Sequence, residues 1–268
     1  EDLHVGAVGG EVSLISLVEG LRPEYSNSVS ASVDWYERFG KWDCNLTVEG
    51  FFTQLDNVFA LVENGHDAQG NLLLTRTNAN GARVAGLNVE GKVAYGHLFS
   101  LQAGYTYNHS RYIEPFQWSE ELAPQTRMFR TPDHYGYFLA NIEPVHGLKL
   151  TTNGKITGRM LLQHYAGYVE ADYETLSPIF FEWDAKVGYE IHLYPDKARG
   201  SRQVGKSHPT TPTAKARHTP YTLEVALGVK NLLDHFQRDI DQGMDRDASY
   251  IYGPAIPRSY FLSLNLKI

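Results

Sequence analysis

The residues best suited to bind an ion form one acidic run near the C-terminus. The segment Asp239-Ile240-Asp241-Gln242-Gly243-Met244-Asp245-Arg246-Asp247 holds four carboxylates in nine residues, around a glycine. Alternate carboxylates around a tight turn can supply the oxygen ligands of a calcium ion. The run lacks the rest of the EF-hand pattern, including its distal Glu, and most charge runs are solvated. The sequence therefore favours a solvated surface loop here, and it predicts no metal and no cofactor.

The histidines and possible nucleophiles match no enzyme pattern. None of the eleven histidines has a partner at i+4, although His109, His134, His164 and His235 fall near predicted loops, which leaves haem ligation open but unsupported. There is no Gly-x-Ser-x-Gly elbow, phosphate-binding loop or HExxH segment. The lone Cys44 excludes an internal disulfide and a Cys-built zinc site. A Ser, His and Asp set assembled from distant loops stays open, but the sequence predicts that the protein is not an enzyme.

Aromatic residues in the long polar connections are the third group of candidates. Rings that carry a polar group suit a ligand site at the mouth of a barrel. The sequence predicts ligand contacts from exposed aromatics at these positions: Tyr112, Phe116, Trp118, Tyr165, Tyr168, Tyr250 and Tyr252, with Tyr173 nearby. The alternative, that these rings pack loop against loop or form a membrane girdle, stays open.

The elements that must position these residues are β-strands, because the dominant pattern has a period of two. In the segment from Phe181 to Leu193, apolar residues alternate with charged and polar ones, as the two faces of a strand require. The same pattern predicts nine strands, at residues 28–35, 42–52, 87–95, 99–107, 135–143, 148–160, 181–193, 221–229 and 260–268. Val12 to Val18 is a possible tenth strand. No segment has a convincing helical stripe.

The connections between these strands alternate in length. Tight turns occur at Arg38–Lys41, at Gly96 and at Pro144–Gly147. Long polar segments occupy the other connections, at residues 54–81, 109–131, 161–178 and 233–255. An up-and-down meander with short turns at one end and long loops at the other is typical of outer-membrane barrels. The expected topology has the long loops outside the cell and the C-terminus in the periplasm.

Composition and pattern favour this membrane barrel over a soluble β-sandwich. The net charge of −7 argues against nucleic acid as a partner. The longest stretch free of Lys, Arg, Asp and Glu, Val93 to Ser110, contains several polar residues, so no helix can span a membrane. The predicted strands run to 10–14 residues, Tyr and Trp cluster near their ends, and Glu182, Asp184 and Glu190 share a polar face that a dry core would penalise. The predicted fold class is all-β, an antiparallel transmembrane β-barrel.

Several motifs resemble those of TonB-dependent outer-membrane receptors. Gly228-Val229-Lys230-Asn231-Leu232-Leu233-Asp234 resembles the turn after the family's penultimate strand, and Tyr252-Gly253-Pro254-Ala255-Ile256-Pro257-Arg258-Ser259-Tyr260-Phe261 resembles the start of its last strand. Gly20-Leu21-Arg22-Pro23-Glu24-Tyr25-Ser26-Asn27 is similar to a Leu-Lys-Pro-Glu segment that precedes a barrel strand, with Arg22 in place of Lys. Gly86-Leu87-Asn88-Val89-Glu90 looks like a further family strand.

The resemblance implies that residues 1–268 form the C-terminal part of a receptor barrel. Receptors of this family carry a plug domain and 22 barrel strands, so the plug and the first half of the barrel are expected to lie elsewhere. The implied function is import of a scarce nutrient of the iron-siderophore, haem or cobalamin class, with energy from TonB, in a Gram-negative outer membrane. The implied partners are outer-membrane lipid, the rest of the receptor, the TonB complex and a small-molecule ligand. The alternative is a complete ten-stranded barrel with a structural, adhesive or enzymatic role.

One predicted connection is unusually basic. Residues 195–220 contain four prolines and six Lys or Arg residues but one acidic residue, Asp196. With almost no apolar side chains, the segment is expected to be a flexible periplasmic insertion. A contact with anionic headgroups or an acidic partner is the alternative.

Overall fold

The structure, a computed structural model, describes residues 4–8, 11–119, 121–193 and 221–267. The described residues form sixteen strands and no helices. The strands are β1 (His4–Val8), β2 (Glu11–Leu17), β3 (Tyr25–Phe39), β4 (Trp42–Asp56), β5 (Phe59–His66), β6 (Leu72–Asn78), β7 (Ala82–Tyr95), β8 (Phe99–Phe116), β9 (Gln125–Arg127), β10 (His134–Val145), β11 (Leu148–Thr157), β12 (Leu161–His164), β13 (Tyr173–Leu176), β14 (Phe180–Leu193), β15 (Tyr221–Lys230) and β16 (Ser259–Lys267).

Nine long strands form one antiparallel meander. In spatial order they are β3, β4, β7, β8, β10, β11, β14, β15 and β16, which is also their order along the chain. These are the nine strands that the period-two pattern predicts, and most extend a few residues beyond the predicted bounds. The sheet ends at β3 and β16, which do not pair with each other, so the described residues form an open part of a barrel rather than a complete ten-stranded one.

The two faces of this sheet differ sharply. One face, called the apolar face, is made of aliphatic and aromatic side chains that are largely exposed, such as Leu227 (60%) and Leu264 (66%). Exposed apolar surface on this scale is unfavourable in water but suits a lipid solvent. The other face, called the polar face, carries the alternate residues, such as Glu190 and Glu224.

The charges of the polar face are paired across neighbouring strands. Lys149 Nζ lies 2.7 Å from Glu190 Oε1, and Lys186 Nζ lies 3.4 Å from Glu224 Oε1. Lys267 also contacts Glu190, at 3.5 Å. Of the acidic residues that argued against a dry core, Glu190 is therefore balanced by lysines. Glu182 lies 3.6 Å from Lys155, and Asp184 accepts from the Asn231 amide at 2.8 Å.

Aromatic rings mark both ends of the apolar face. Near the tight turns, Trp42 of β4 packs on Tyr95 of β7, with ring centroids 4.8 Å apart. Toward the other end, Tyr107 of β8 lies beside His134, which also contacts the Tyr105 hydroxyl at 2.7 Å. Such amphipathic rings suit the boundary between hydrocarbon and headgroups.

The predicted tenth strand belongs to a different sheet. Val12 to Val18 largely forms β2, which pairs with β1 and, in parallel, with β6, and β6 pairs with β5. This small sheet joins the β1–β2 hairpin to the β4–β7 connection. Val12 to Val18 therefore does not supply a tenth strand of the barrel; the tenth member of the large sheet is the short β9, which pairs with β8. A run of alternating residues shows that a strand forms but does not show which sheet it joins.

The connections alternate in length as the sequence predicts. Gly40 and Gly147 occupy tight turns with φ of 63° and 86°, a backbone region that favours glycine. The long connections are more structured than the sequence predicts, because they contain β5, β6, β9, β12 and β13. The basic segment 195–220 lies outside the described residues. No helix in the described part of the chain has the length and hydrophobicity needed to cross a bilayer.

The turn after β15 fixes the start of β16. Asn231 is buried with φ of 49°, and its amide group donates to the Ile256 carbonyl at 3.0 Å and accepts from the His235 amide at 3.0 Å. Asp234 accepts from the Arg258 amide at 2.9 Å. The Asn-Leu-Leu-Asp motif that follows β15 thus holds the residues that lead into β16.

Candidate functional site

The long connections meet at one end of the sheet around His164, the last residue of β12. Its ring is buried, with Nδ1 2.7 Å from the Tyr173 hydroxyl and Nε2 2.8 Å from Asp241 Oδ2. Tyr250 stacks on the same ring, with centroids 3.6 Å apart and planes inclined by 9°. His164 therefore joins the β11–β14 connection to the β15–β16 connection, 77 residues away.

Part of the acidic run contributes to this contact between the two connections and does not form a solvated loop. Asp241 and Asp247 are buried, whereas Asp239 and Asp245 are exposed. Asp241 Oδ2 accepts from the Asp247 amide at 3.0 Å, and Asp247 accepts from the amides of Tyr165 and Ser249. The expectation of a solvated loop is wrong for the two buried carboxylates, because distant parts of the chain supply their donors.

The described residues hold no cluster that could bind a metal. Nowhere in these ranges do three His, Cys, Asp or Glu side chains come together in a way that could hold an ion. Of the four histidines noted in the sequence, His164 and His235 lie at this end of the sheet with their ring nitrogens in hydrogen bonds: His164 as above, and His235 accepting from the Phe181 amide at 3.3 Å.

A cavity of about 660 Å³ opens between the two connections. Its apolar wall comes from Phe180 and Tyr250, and its polar wall from His235, Arg238 and Asp239, with Tyr252 between them. Phe180 is buried and packs on both His235 and Tyr252. An aromatic wall opposite a few convergent polar groups is the usual make-up of a small-molecule site.

The tyrosines of this cavity are hydrogen-bond donors at physiological pH. Burial raises the pKa of the Tyr250 phenol, and the neighbouring Tyr252, Tyr173 and Asp239 raise it further. Burial also raises the pKa of Tyr252, followed by the hydrogen bonds that its hydroxyl donates to the two carboxylate oxygens of Asp239, at 2.8 and 2.7 Å. Neither phenol ionises near neutral pH.

Arg238 is an exposed cation that borders the cavity. Its guanidinium lies over the Phe236 ring at 4.9 Å and contacts Asp234 at 3.1 Å, but the side chain is mostly exposed. An exposed arginine that borders a cavity can turn its fork of donors toward an anionic ligand.

The aromatic candidates from the sequence fall into three groups. Tyr250 and Tyr252 line the cavity. Trp118 and Tyr165 pack on each other with centroids 4.9 Å apart, and Tyr112 packs on Phe116 at 5.3 Å. Tyr168 is exposed and stands apart from these pairs. Their roles as ligand contacts stay predictions.

Two of these aromatics are buried, contrary to expectation, and only Tyr168 of the seven is exposed. Trp118 and Tyr250 are 6% and 4% exposed, and Trp118 donates from Nε1 to Glu174 at 2.9 Å. Both rings therefore pack loop against loop, although an edge of Tyr250 reaches the cavity. Polar surroundings in the sequence do not reveal that a connection folds back over its own aromatics.

Sequence reasoning missed Gln237 and Arg238 as cavity-lining residues, and it considered His235 and Asp239 only as possible haem and calcium ligands. Gln237 is buried, accepts from the amides of Tyr252 and Gly253, and donates to the Tyr250 carbonyl, so it sets the path of the segment that bears both tyrosines. The one available signal was their position directly after the Asn231–Asp234 motif, in a run of mixed charge.

A larger concavity, about 800 Å³, lies on the apolar face and not at this site. Its walls include Ile142, Leu150, Val187, Leu227 and Leu262. A groove between exposed aliphatic side chains in the middle of a sheet is where lipid chains would pack. It is not a candidate for the ligand site.

Comparison with known proteins shows which family this β-sheet belongs to. Residues 9–232 match the family described as TonB dependent receptor-like, beta-barrel. The chain belongs to the TonB-dependent receptor family. The resemblance drawn from the terminal motifs is therefore confirmed, and so is the all-β barrel fold. This is a family of receptors and transporters in the outer membrane of Gram-negative bacteria, so the apolar face is the lipid face and the polar face is the inner wall.

Solved structures show the same fold at low sequence identity. The ferric-catecholate import receptor Fiu from E. coli K12 aligns with 91% of this chain at 17% identity and a TM-score of 0.56. The siderophore receptor PirA from Acinetobacter baumannii aligns with 94% at 15% identity and a TM-score of 0.55. The ferripyoverdine receptor of Pseudomonas aeruginosa aligns with 91% at 13% identity and a TM-score of 0.57. A search of curated proteins finds no match.

These alignments cover only part of each receptor. The chain spans 28% of Fiu, 33% of PirA and 27% of the ferripyoverdine receptor. It therefore corresponds to about a third of the length of the receptors that it matches.

Proposed function

We propose that this chain is the C-terminal part of a receptor barrel that imports a scarce nutrient of the iron-siderophore, haem or cobalamin class with energy from TonB. The observation that carries the proposal is the cavity at the long-connection end of a family barrel, with tyrosines on one side and Arg238 on the other. The similar solved structures include receptors for a ferric catecholate and for ferripyoverdine, which supports an iron chelate as the first ligand class to test.

The proposed receptor is completed by parts outside this sheet. In lipid, the free edges of β3 and β16 would leave rows of backbone groups without partners, which is too costly to persist. We therefore propose that further strands of the receptor pair with both edges and that a plug fills the inner wall. Energy from the TonB complex would act through that plug.

In this proposal the cavity recognises its ligand by charge and shape. Arg238 would pair with an anionic chelate, and the Phe180, Tyr250 and Tyr252 rings would cover apolar surface. Tyr252 already donates its hydroxyl proton to Asp239, so its oxygen would accept from a donor on the ligand.

Binding to the complete receptor tests this assignment. We expect the substitution Arg238→Gln to weaken binding of an anionic ferric tris-catecholate about tenfold or more, because a hydrogen bond to a charged group contributes about 1.5–3 kcal/mol. Quenching of tryptophan fluorescence measures the affinity, with haemin and cyanocobalamin as the other probes. Arg246→Gln is the matched control, because Arg246 is exposed on the same connection and does not line the cavity. Equal affinities for the two variants with every probe would contradict the site.

The orientation of the barrel is tested by labelling intact cells. In a Cys44→Ser background, we expect Met244→Cys to react with an impermeant maleimide, because Met244 is 87% exposed at the long-connection end. We expect Lys41→Cys and His97→Cys, in the tight turns, to react only after the outer membrane is opened. Strong labelling of the tight turns in intact cells would place the C-terminus outside and reverse the topology.

A further inference from the structure

Three arginines form a row on the lipid-facing side of the sheet. Arg83 of β7 is the register partner of Arg111 of β8, and Arg111 is the partner of Arg127 of β9. Register partners in an antiparallel pair share a face and lie about 5 Å apart at Cα. Arg83 and Arg111 have the same parity as Leu87 and Tyr107, whose side chains belong to the apolar face. The row therefore points outward and not into the barrel.

The row lies directly above the aromatic boundary of that face. Arg111 follows Tyr107 by four residues, which is about 13 Å along a strand and about 10 Å in height at the usual tilt of a barrel strand. Tyr107 and His134 mark the end of the apolar band on these strands. The arginines are thus at the height of lipid headgroups, on the side with the long connections.

The positive charge of the row is only partly balanced. Asp133 contacts Arg127 at 2.9 Å and Arg111 at 3.6 Å. Among the described residues no other carboxylate lies within ion-pair distance of the row, and Arg83 is exposed without a partner there. Three arginines and one carboxylate leave two net positive charges.

Nearby acidic groups are occupied elsewhere. Asp56 accepts from Gln54 at 2.9 Å, and Glu114 accepts from Asn80. Arg127 also keeps its Nε buried without an acceptor in the described ranges. Like charges directly opposite one another in a sheet are destabilising. Binding of an external anion would therefore stabilise the row.

We propose that this arginine row binds the phosphate groups of an outer-leaflet lipid. Arginine presents a planar fork of donors that matches phosphate oxygens. The position just above a lipid-facing surface favours a phosphate that is anchored by acyl chains over one free in solution. The inference rests on the orientation proposed above, since the row must lie in the outer leaflet.

The test uses the purified complete receptor in dodecyl maltoside micelles, with diphosphoryl lipid A as the probe and native mass spectrometry as the readout. We expect Arg83→Gln to weaken lipid A binding about fivefold and Arg83→Gln with Arg111→Gln about 25-fold, the effect of one and two basic residues near an anionic surface. Arg246→Gln, an exposed arginine outside the row, should bind lipid A like the unaltered receptor. Dephosphorylated lipid A should bind all variants alike.

Three results would overturn the proposal. Equal lipid A binding by Arg83→Gln and Arg246→Gln would remove the row as a site. Equal binding of phosphorylated and dephosphorylated lipid A by the unaltered receptor would show that acyl chains alone are recognised. Displacement of lipid A by an equal concentration of inorganic phosphate would show a site for free anions. Because the Arg83 side chain makes no hydrogen bond or ion pair with another described residue, its variant keeps the test valid if the double variant does not fold.

The outcome is independent of the nutrient site. Lipid A binding in micelles requires neither the cavity nor the TonB complex, and the chelate affinity measured with Arg238→Gln requires no lipid. A failure of one test therefore leaves the other interpretable.

Discussion

Replacing Leu227 by arginine is expected to destabilise the receptor barrel by about 2–4 kcal/mol, the cost of a basic residue at the bilayer midplane. Leu227 lies in the middle of β15, opposite Val187 and Leu262, and all three side chains are exposed on the apolar face. The guanidinium would enter hydrocarbon, and the neighbouring residues that share this face on β14 and β16 in the described part of the chain include no carboxylate to pair with it. Urea unfolding of the complete receptor in phospholipid vesicles measures the change in free energy.

The matched control is Ser263→Arg. Ser263 follows Leu262, the register partner of Leu227, and lies on the opposite face of the sheet. Ser263 of β16 pairs with Ala226, the neighbour of Leu227, and its side chain is exposed on the polar face. There an arginine meets water and the carboxylates of the inner wall, so we expect a change below about 1 kcal/mol. Similar losses at both positions would mean that the assignment of the two faces is wrong.

The sequence predicts the barrel strands well because each strand separates two different solvents. Lipid outside and water inside make Val187 and Leu227 apolar and Glu190 and Glu224 charged, and this contrast is visible without any tertiary contact. In β6 the contrast fails, because Leu72, Leu73 and Leu74 follow one another. That strand lies in the small sheet outside the barrel, so its two faces do not separate lipid from water, and the alternation rule missed it.

The candidate site was predictable only in outline. The aromatic residues of the long connections indicated that these segments do more than link strands, and Tyr250 and Tyr252 do reach the cavity. Burial of Asp241 and Trp118 depends instead on partners 77 and 56 residues away. Local composition carries no information about such distant partners, which is why an acidic run looked solvated and a packed tryptophan looked exposed.

The same distant contacts lead to the second large expected effect, from Asp241→Ala. The carboxylate accepts from His164 Nε2 at 2.8 Å and from the Asp247 amide at 3.0 Å, and both donors are buried. Each buried donor left without an acceptor costs about 1–3 kcal/mol. Because the bond to His164 joins the two connections to each other and not to the barrel wall, we expect the loss to open the connections locally while the sheet stays folded.

Hydrogen exchange of the complete receptor measures this opening. In Asp241→Ala, amides of residues 161–176 and 237–252 should exchange about 10- to 100-fold faster, whereas amides of β14 and β15 should keep their protection. Asp245→Ala is the control, since Asp245 is an exposed carboxylate of the same acidic run. Asp241→Asn should recover part of the protection, because its amide oxygen can still accept from His164. Unchanged exchange in Asp241→Ala would show that the stacking of His164 on Tyr250 holds the two connections together without the carboxylate.

The cavity depends on both connections, so the same variant should also weaken binding of the ferric tris-catecholate probe, and Asp245→Ala should not.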